Sequence, residues 1–311
     1  MIHLSVKKRY ALIAALSMLI ATSCTNDNEP EAARGIAFQS NVQTRAVKEN
    51  FTSGDAFAVW GGYDDDATNV FNDETVTFDG ANWSYTGTRY WVSGKMYNFY
   101  AVYPTNVGSC NTSGTITVSN FNTSTNTDLM TAEALNRNGS NPQTVPFTFR
   151  HELAQVQIIV QCEAGVTATL NSARLYGIHS QGTLSRTSAS ATWTGLSGNV
   201  SFSDSNKSLN TEAYPLFGEA LLLIPTQDVS GLKLDVDIIR NTGTTIKQTL
   251  DVGTSGPSTW DAGQIYRYTL LVKQDIIAIT FSNFTADEWG ETHTGGDINI
   301  GGSTNEGTQN A

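Results

Sequence analysis

The chain has 311 residues, 18 basic against 29 acidic, for a net charge of −11; at ~150 residues per domain this is room for about two domains. The first 23 residues hold three of the cations (Lys7, Lys8 and Arg9) and no acid, so a chain without them carries −14 and repels phosphate backbones, which argues against nucleic-acid binding. Charged residues make up only 15%, against a usual ~25%, while Gly, Ser, Thr and Asn abound, a composition that suits an extracellular β protein better than a cytosolic helical enzyme.

Residues 1–23 read as a signal peptide. A basic start is followed by an apolar run over residues 10–21, too short for a bilayer that needs ~20 helical residues. The run ends in Ala21-Thr22-Ser23-Cys24. Small residues leading into a cysteine resemble a lipobox, with Ala21 where Leu is usual, and predict lipidation of Cys24. An ordinary secretory signal with a coincidental cysteine is the alternative. Residues 24–34 form a polar, acidic tether, with Asp27, Glu29 and Glu31, that resembles surface-export signals on lipoproteins of some Gram-negative outer membranes. No later stretch approaches transmembrane length, so lipid is the expected anchor.

From residue 35 onward the pattern is strand after strand, with no helical periodicity over ten or more residues. Apolar side chains alternate at Phe57 and Val59, Val76 and Phe78, Trp83 and Tyr85, Tyr97, Phe99 and Ala101, Val156, Ile158 and Val160, Leu232 to Ile238, and Tyr266 to Val272. Turn formers separate these runs at hairpin distances. The expected architecture is all-β, with two antiparallel sandwiches at 35–142 and 143–275. The boundary is placed in Asn136-Arg137-Asn138-Gly139-Ser140-Asn141-Pro142. A segment at 276–300 follows, and then a flexible polar tail at 301–311.

Catalytic chemistry is nearly absent from the sequence. It lacks the zinc-protease, nucleophile-elbow, phosphate-loop and dinucleotide patterns. His151 reads as a structural histidine, His179 as a turn residue, and the cysteines at 24, 110 and 162 fit no zinc spacing. Cys110 and Cys162 are left open as a pair or as two free thiols. Asp64-Asp65-Asp66 with Asn69 lacks the glycine and the final glutamate of a calcium loop and reads as a solvated hairpin tip. Trp60, Trp83 and Trp91 lie inside alternating runs, where core packing is the default over a sugar platform. No enzyme, metal or cofactor is expected.

Several motifs in fixed order resemble one family. They are the lipoprotein start, Ile36-Ala37-Phe38 through Thr44-Arg45-Ala46, Gly54-Asp55-Ala56-Phe57-Ala58-Val59-Trp60, Tyr90-Trp91 with Tyr97-Asn98-Phe99-Tyr100-Ala101-Val102-Tyr103-Pro104, Asp128-Leu129-Met130, Phe149-Arg150-His151-Glu152-Leu153-Ala154-Gln155-Val156, Ile224-Pro225, and Trp260-Asp261-Ala262-Gly263-Gln264-Ile265-Tyr266-Arg267-Tyr268. Together, from Cys24 to about Ile300, they resemble the fimbrillins or type V pilins, including their Mfa-like members.

The resemblance implies two transthyretin-like sandwiches in a pilus subunit that travels to the outer membrane as a lipoprotein. It implies that an arginine-directed protease removes the first strand, opening a groove for a neighbour's C-terminal strand. On this chain the removable strand would carry Ile36, Phe38 and Val42 and end at Arg45 and Ala46, and the donated strand would present Ile277, Ile279 and Phe281. The physical logic is general: a sandwich missing a strand exposes an apolar groove and unpaired backbone, and head-to-tail filling of that groove gives a filament. Partners would be other pilin subunits, the outer membrane through Cys24 before cleavage, and surface ligands of host or bacterial origin. Shaft, tip and anchor roles stay open. Two other classes are weighed: a glycan-binding or adhesin lipoprotein that never polymerises, and a hydrolase built from scattered carboxylates such as Asp55, Glu133, Glu152 and Glu219.

Overall fold

The computed structural model describes residues 34–42, 50–273 and 279–288. In chain order the strands are β1 (Phe38–Val42), β2 (Ala56–Tyr63), β3 (Phe71–Phe78), β4 (Trp83–Ser84), β5 (Met96–Tyr103), β6 (Ser109–Cys110), β7 (Ile116–Asn122), β8 (Met130–Asn138), β9 (Val145–His151) and β10 (Ala154–Cys162). Then come β11 (Ala168–Tyr176), β12 (Gln181–Arg186), β13 (Ala191–Ser197), β14 (Ser201–Asp204), β15 (Lys207–Leu209), β16 (Tyr214–Leu223), β17 (Lys233–Arg240), β18 (Thr245–Asp251), β19 (Gln264–Val272) and β20 (Ile279–Glu288). Two single turns of 3-10 helix are the only helical segments among the described residues. The all-β expectation holds.

A seven-stranded sheet, ordered β1-β9-β8-β5-β2-β3-β4, builds the first part. Its middle strands read AFAVWGGY and MYNFYAVY, apolar almost throughout, and such runs belong to strands covered on both faces. One face carries Phe57, Val59, Tyr97, Phe99, Phe147 and Phe149 into an aromatic core. The other carries Ala58, Trp60 and Val102 against Ile116, Val118, Leu184 and Trp193 of a four-stranded sheet, β13-β12-β7-β6. A separate aliphatic core lies between β16-β10-β19-β20 and β14-β11-β17-β18. Here strict alternation survives: Tyr266, Tyr268, Leu270 and Val272 on β19 are buried while the residues between them are half-exposed.

The two halves interlock where the sequence suggested a clean break. Turn-rich residues 136–142 connect β8 to β9, and β9 joins the first sheet beside β1 and β8, so sheet membership changes after residue 151 and not at 142/143. The sheet formed by β6 and β7 with β12 and β13 draws on both sides of that boundary. A polar seam runs beside it. Buried Glu152 accepts a hydrogen bond from Thr131 Oγ1 and lies 3.5 Å from Arg186 Nε on β12, while Arg150 bonds Glu133 at 3.0 Å. Burial, opposed by Arg186, holds the Glu152 carboxyl above its usual range. Two pairings, β1 with β9 and β10 with β19, are parallel where antiparallel sheets were expected; each joins strands far apart in sequence, which no short hairpin constrains.

Aromatic hydroxyls close the second core. Fully buried Trp260 donates from Nε1 to Tyr268 Oη at 3.1 Å, and burial pushes the Tyr268 phenol up to about 12. Tyr268→Phe strands a buried indole N–H and is expected to cost about 1–3 kcal/mol in urea unfolding; a change below about 0.5 kcal/mol would show that this bond is dispensable.

Candidate functional site

The candidate site is the edge where β1 closes the first sheet. Alternation points Ile36 and Phe38 inward, only 3% and 5% exposed, while Ala37, Gln39 and Asn41 face solvent. The Phe38 ring stacks on Phe147 at 5.6 Å and meets Phe71 at 5.3 Å, Tyr85 at 5.8 Å and Phe99 at 5.9 Å edge-on. Each such pair adds to the area it buries. In register, Phe38 lies beside Val145 and Val42 beside Phe149, whereas β9 meets β8 only at Arg150 and His151, opposite Thr131 and Met130. The first five residues of β9 therefore ladder with β1.

The sheet curls so that its far edge returns to the same strand. Tyr85 Oη donates to the Ile36 carbonyl at 2.7 Å, Ile36 N to Arg89 O at 2.8 Å, and Trp91 N to Arg34 O at 3.1 Å; Gly35 and Tyr90 form a bridge. Arg89 is itself fixed, its guanidinium bonded to Val70 O and paired with Glu74 while lying 4.8 Å over the Phe71 ring. Residues 34–42 are thus laced between β9 and the segment after β4. Further along, β1 and the β4 edge part to form a groove of about 540 Å³, with Val42, Phe51, Phe78 and Trp83 in its walls.

At the other end of the chain, β20 pairs antiparallel with β19 alone, Ile279 beside Val272 and Phe281 beside Leu270, as the outer strand of its sheet. Both strands named for exchange are edge strands, and an edge strand can leave without breaking a ladder on both sides. Ile277, Cys24, Arg45 and Ala46 lie outside the described residues.

The remaining candidates resolve into structure. His151 Nδ1 lies 2.8 Å from Asp128 Oδ2, both buried. Asp55 caps Thr52 N, Glu133 pairs with Arg150, and Glu152 belongs to the seam; the Glu219 side chain lies outside the described set. Asp64 pairs with Lys95 and Asp66 bonds Thr68, and no metal-ligating cluster occurs among the described residues. Gly62 is required at that tip, because a Cβ there would fall 2.0 Å from Asp66 O. Trp60 and Trp91 are core residues, and Trp83 packs on Phe51, Phe57 and Phe78. Cys110 and Cys162 are free thiols in two different cores, and burial raises both, Cys110 to about 12.

Comparison with known proteins decides the family. A fimbrillin-like family profile matches residues 44–289. The chain belongs to the fimbrillin-like family. Its fold is similar to that of a candidate cell adhesion protein from Bacteroides ovatus ATCC 8483, with 20% identity and a TM-score of 0.57 over 83% of this chain and 98% of that one. It also resembles a fimbrial protein from Bacteroides vulgatus ATCC 8482, with 19% identity and a TM-score of 0.55 over 82% and 99%. No curated protein matches.

If Phe38 is the keystone of the β1 edge, Phe38→Ala should cost about 3–5 kcal/mol of unfolding free energy, as Phe truncation in a packed core does. Denaturant titration checks this. A loss under about 1 kcal/mol would mean the neighbouring rings close over the gap without it.

Proposed function

We infer from family membership that this is a fimbrial or adhesion-type surface protein. We propose, more specifically, that it is a structural subunit of a surface fimbria: exported as a lipoprotein on Cys24, cut after Arg45, and assembled by insertion of one copy's 276–300 segment where another copy's β1 had been. The observation that carries this reading is the edge position of β1. It is a short edge strand that plugs an aromatic core with Ile36 and Phe38 and holds the leading half of β9 in its ladder.

The energetics favour a trigger. In the intact chain β1 and β20 are both satisfied within one molecule, so exchange gains little. Removing residues up to Arg45 uncovers the sites of Ile36, Phe38 and Val42, each worth up to ~1.5–3 kcal/mol when filled by an apolar side chain. An alternating strand from a neighbour restores that burial and the backbone bonds together. A head-to-tail contact of this kind does not close, so it propagates.

Limited trypsin treatment tests the maturation step. Cleavage after Arg45 is expected before any other arginine of the folded body, giving a new N-terminus Ala46-Val47-Lys48, and electron microscopy of the trimmed protein should show filaments that the uncut protein lacks. A resistant Arg45 bond, or trimmed protein that stays monomeric, would favour a non-polymerising surface adhesin. For the anchor, Cys24→Ser should abolish incorporation of a fatty-acid analogue in cells; label that persists would place the lipid elsewhere.

A further inference from the structure

The outer face of the first sheet changes character along two neighbouring strands. Ala58 pairs with Val102 and Trp60 with Tyr100, buried against Ile116, Val118 and Leu184, but the next pair along is Gly62 beside Asn98. Alternation puts these three pairs on the face opposite Phe99 and the aromatic core that β1 covers. At the Gly62–Asn98 pair the sheet opens into a cleft of about 600 Å³, reached from the covering layer only by Thr112 and Ser113 of the β6–β7 turn.

Specific bonds hold its walls. The register of β5 on β8 jumps from Tyr97–Arg137 to Phe99–Ala134, so β8 carries one extra residue opposite Asn98. At this bulge Asn136 takes a φ of 56°, and its N–H donates to Asn98 Oδ1 at 2.9 Å. Bulges re-aim side chains beside sites, and this one fixes the Asn98 carboxamide while leaving Nδ2 to donate elsewhere. Across the cleft, Ala67 N donates to Thr112 O at 2.9 Å and ties the β2–β3 connection to the turn. Asn69 bonds both backbone groups of Tyr63 in that connection.

The lining selects a ligand class. Asn98 Nδ2, the Asn136 carboxamide, the Thr112 hydroxyl and the Asp65 carboxylate all line the cleft and have no protein partner among the described residues. Carboxamides and hydroxyls both donate and accept, and a carboxylate accepts. That set matches a ligand rich in hydroxyls, each of which donates and accepts at once. Met96, 50% exposed, adds an apolar surface on which the C–H face of a sugar ring can rest. Asp64, Asp65 and Asp66 share the cleft, and Lys95 is engaged by Asp64, so anionic ligands are repelled. The volume falls within the ~300–1,000 Å³ of small-ligand sites.

We propose that this cleft binds a neutral glycan, with Asn98, Asn136, Thr112 and Asp65 hydrogen-bonding its hydroxyls. The inference goes beyond the assembly reading and does not depend on it, because the cleft lies on the other face of the sheet from Phe38 and is open in the uncut chain.

The uncut chain is therefore the one to test. Biotinylated protein, gathered on streptavidin so that multivalency raises the signal, is read against an array of neutral, sialylated and sulfated oligosaccharides. Binding is expected among the neutral glycans alone, and the strongest of them is then titrated in solution by calorimetry. Asp65→Gly with Asn136→Gly removes two of the contacts where the backbone is left-handed, at φ 61° and 56°, which glycine adopts without strain. The fold should survive and the affinity should fall at least about tenfold. Asp73→Gly, a like change at φ 59° outside the cleft, should leave affinity within about twofold. Should the double variant lose its cooperative thermal transition, Thr112→Trp, which fills the cleft from its rim, takes its place with the same expected loss. Binding to no neutral glycan, a preference for anionic ones, or a double variant that binds as the wild type does would overturn the proposal. So would a chain that takes up calcium but no glycan, which would make the cleft a cation site.

Discussion

The burial of Phe38 against Phe147, Phe71, Tyr85 and Phe99 is the contact on which the first half of the molecule depends. A seven-stranded sheet with an aromatic face must either pack on another layer or curl around itself. Here it curls, and the last gap is filled by a five-residue edge strand. β1 pairs with β9 over five residues whereas β9 meets β8 at only two, so this short edge strand is the main ladder partner of the leading half of β9 and covers an aromatic interior.

The rest of the structure is tied together without β1. The aliphatic core around Leu170, Leu234 and Tyr268 shares no strand with β1, and the middle sheet ties the halves together through Trp60, Leu184 and Trp193. Glu152 with Arg186 and Thr131 adds a buried polar contact across that junction. Such groups fix register more than they add stability.

Much of this was legible in the sequence, and the failures have physical causes. Alternation in β17 and β19 and the inward set Ile36 and Phe38 could be read directly, because each strand has one core face. β2 and β5 are buried on both faces, so their alternation understated their burial. Residues 136–142 turn out to connect β8 and β9 within one sheet, since Asn, Gly and Pro mark a tight connection and a linker alike. The other wall of the site, Tyr85 and Arg89, lies about fifty residues from Ile36; no local pattern signals a pairing made by the curl of a sheet. Arg186 meeting Glu152 is invisible for the same reason.

Amide hydrogen exchange on the leading half of β9 tests the central claim most directly. Val145 N donates to the Ala37 carbonyl, and Phe147 and Phe149, at alternate positions of the same strand, turn their amides the same way toward β1, so these three should exchange slowly in the intact chain. Trimming at Arg45 should make them fast, and adding a peptide of residues 276–290 should make them slow again. Amides that stay protected after trimming would mean that β1 does not hold this edge closed, and the account of the groove would be contradicted.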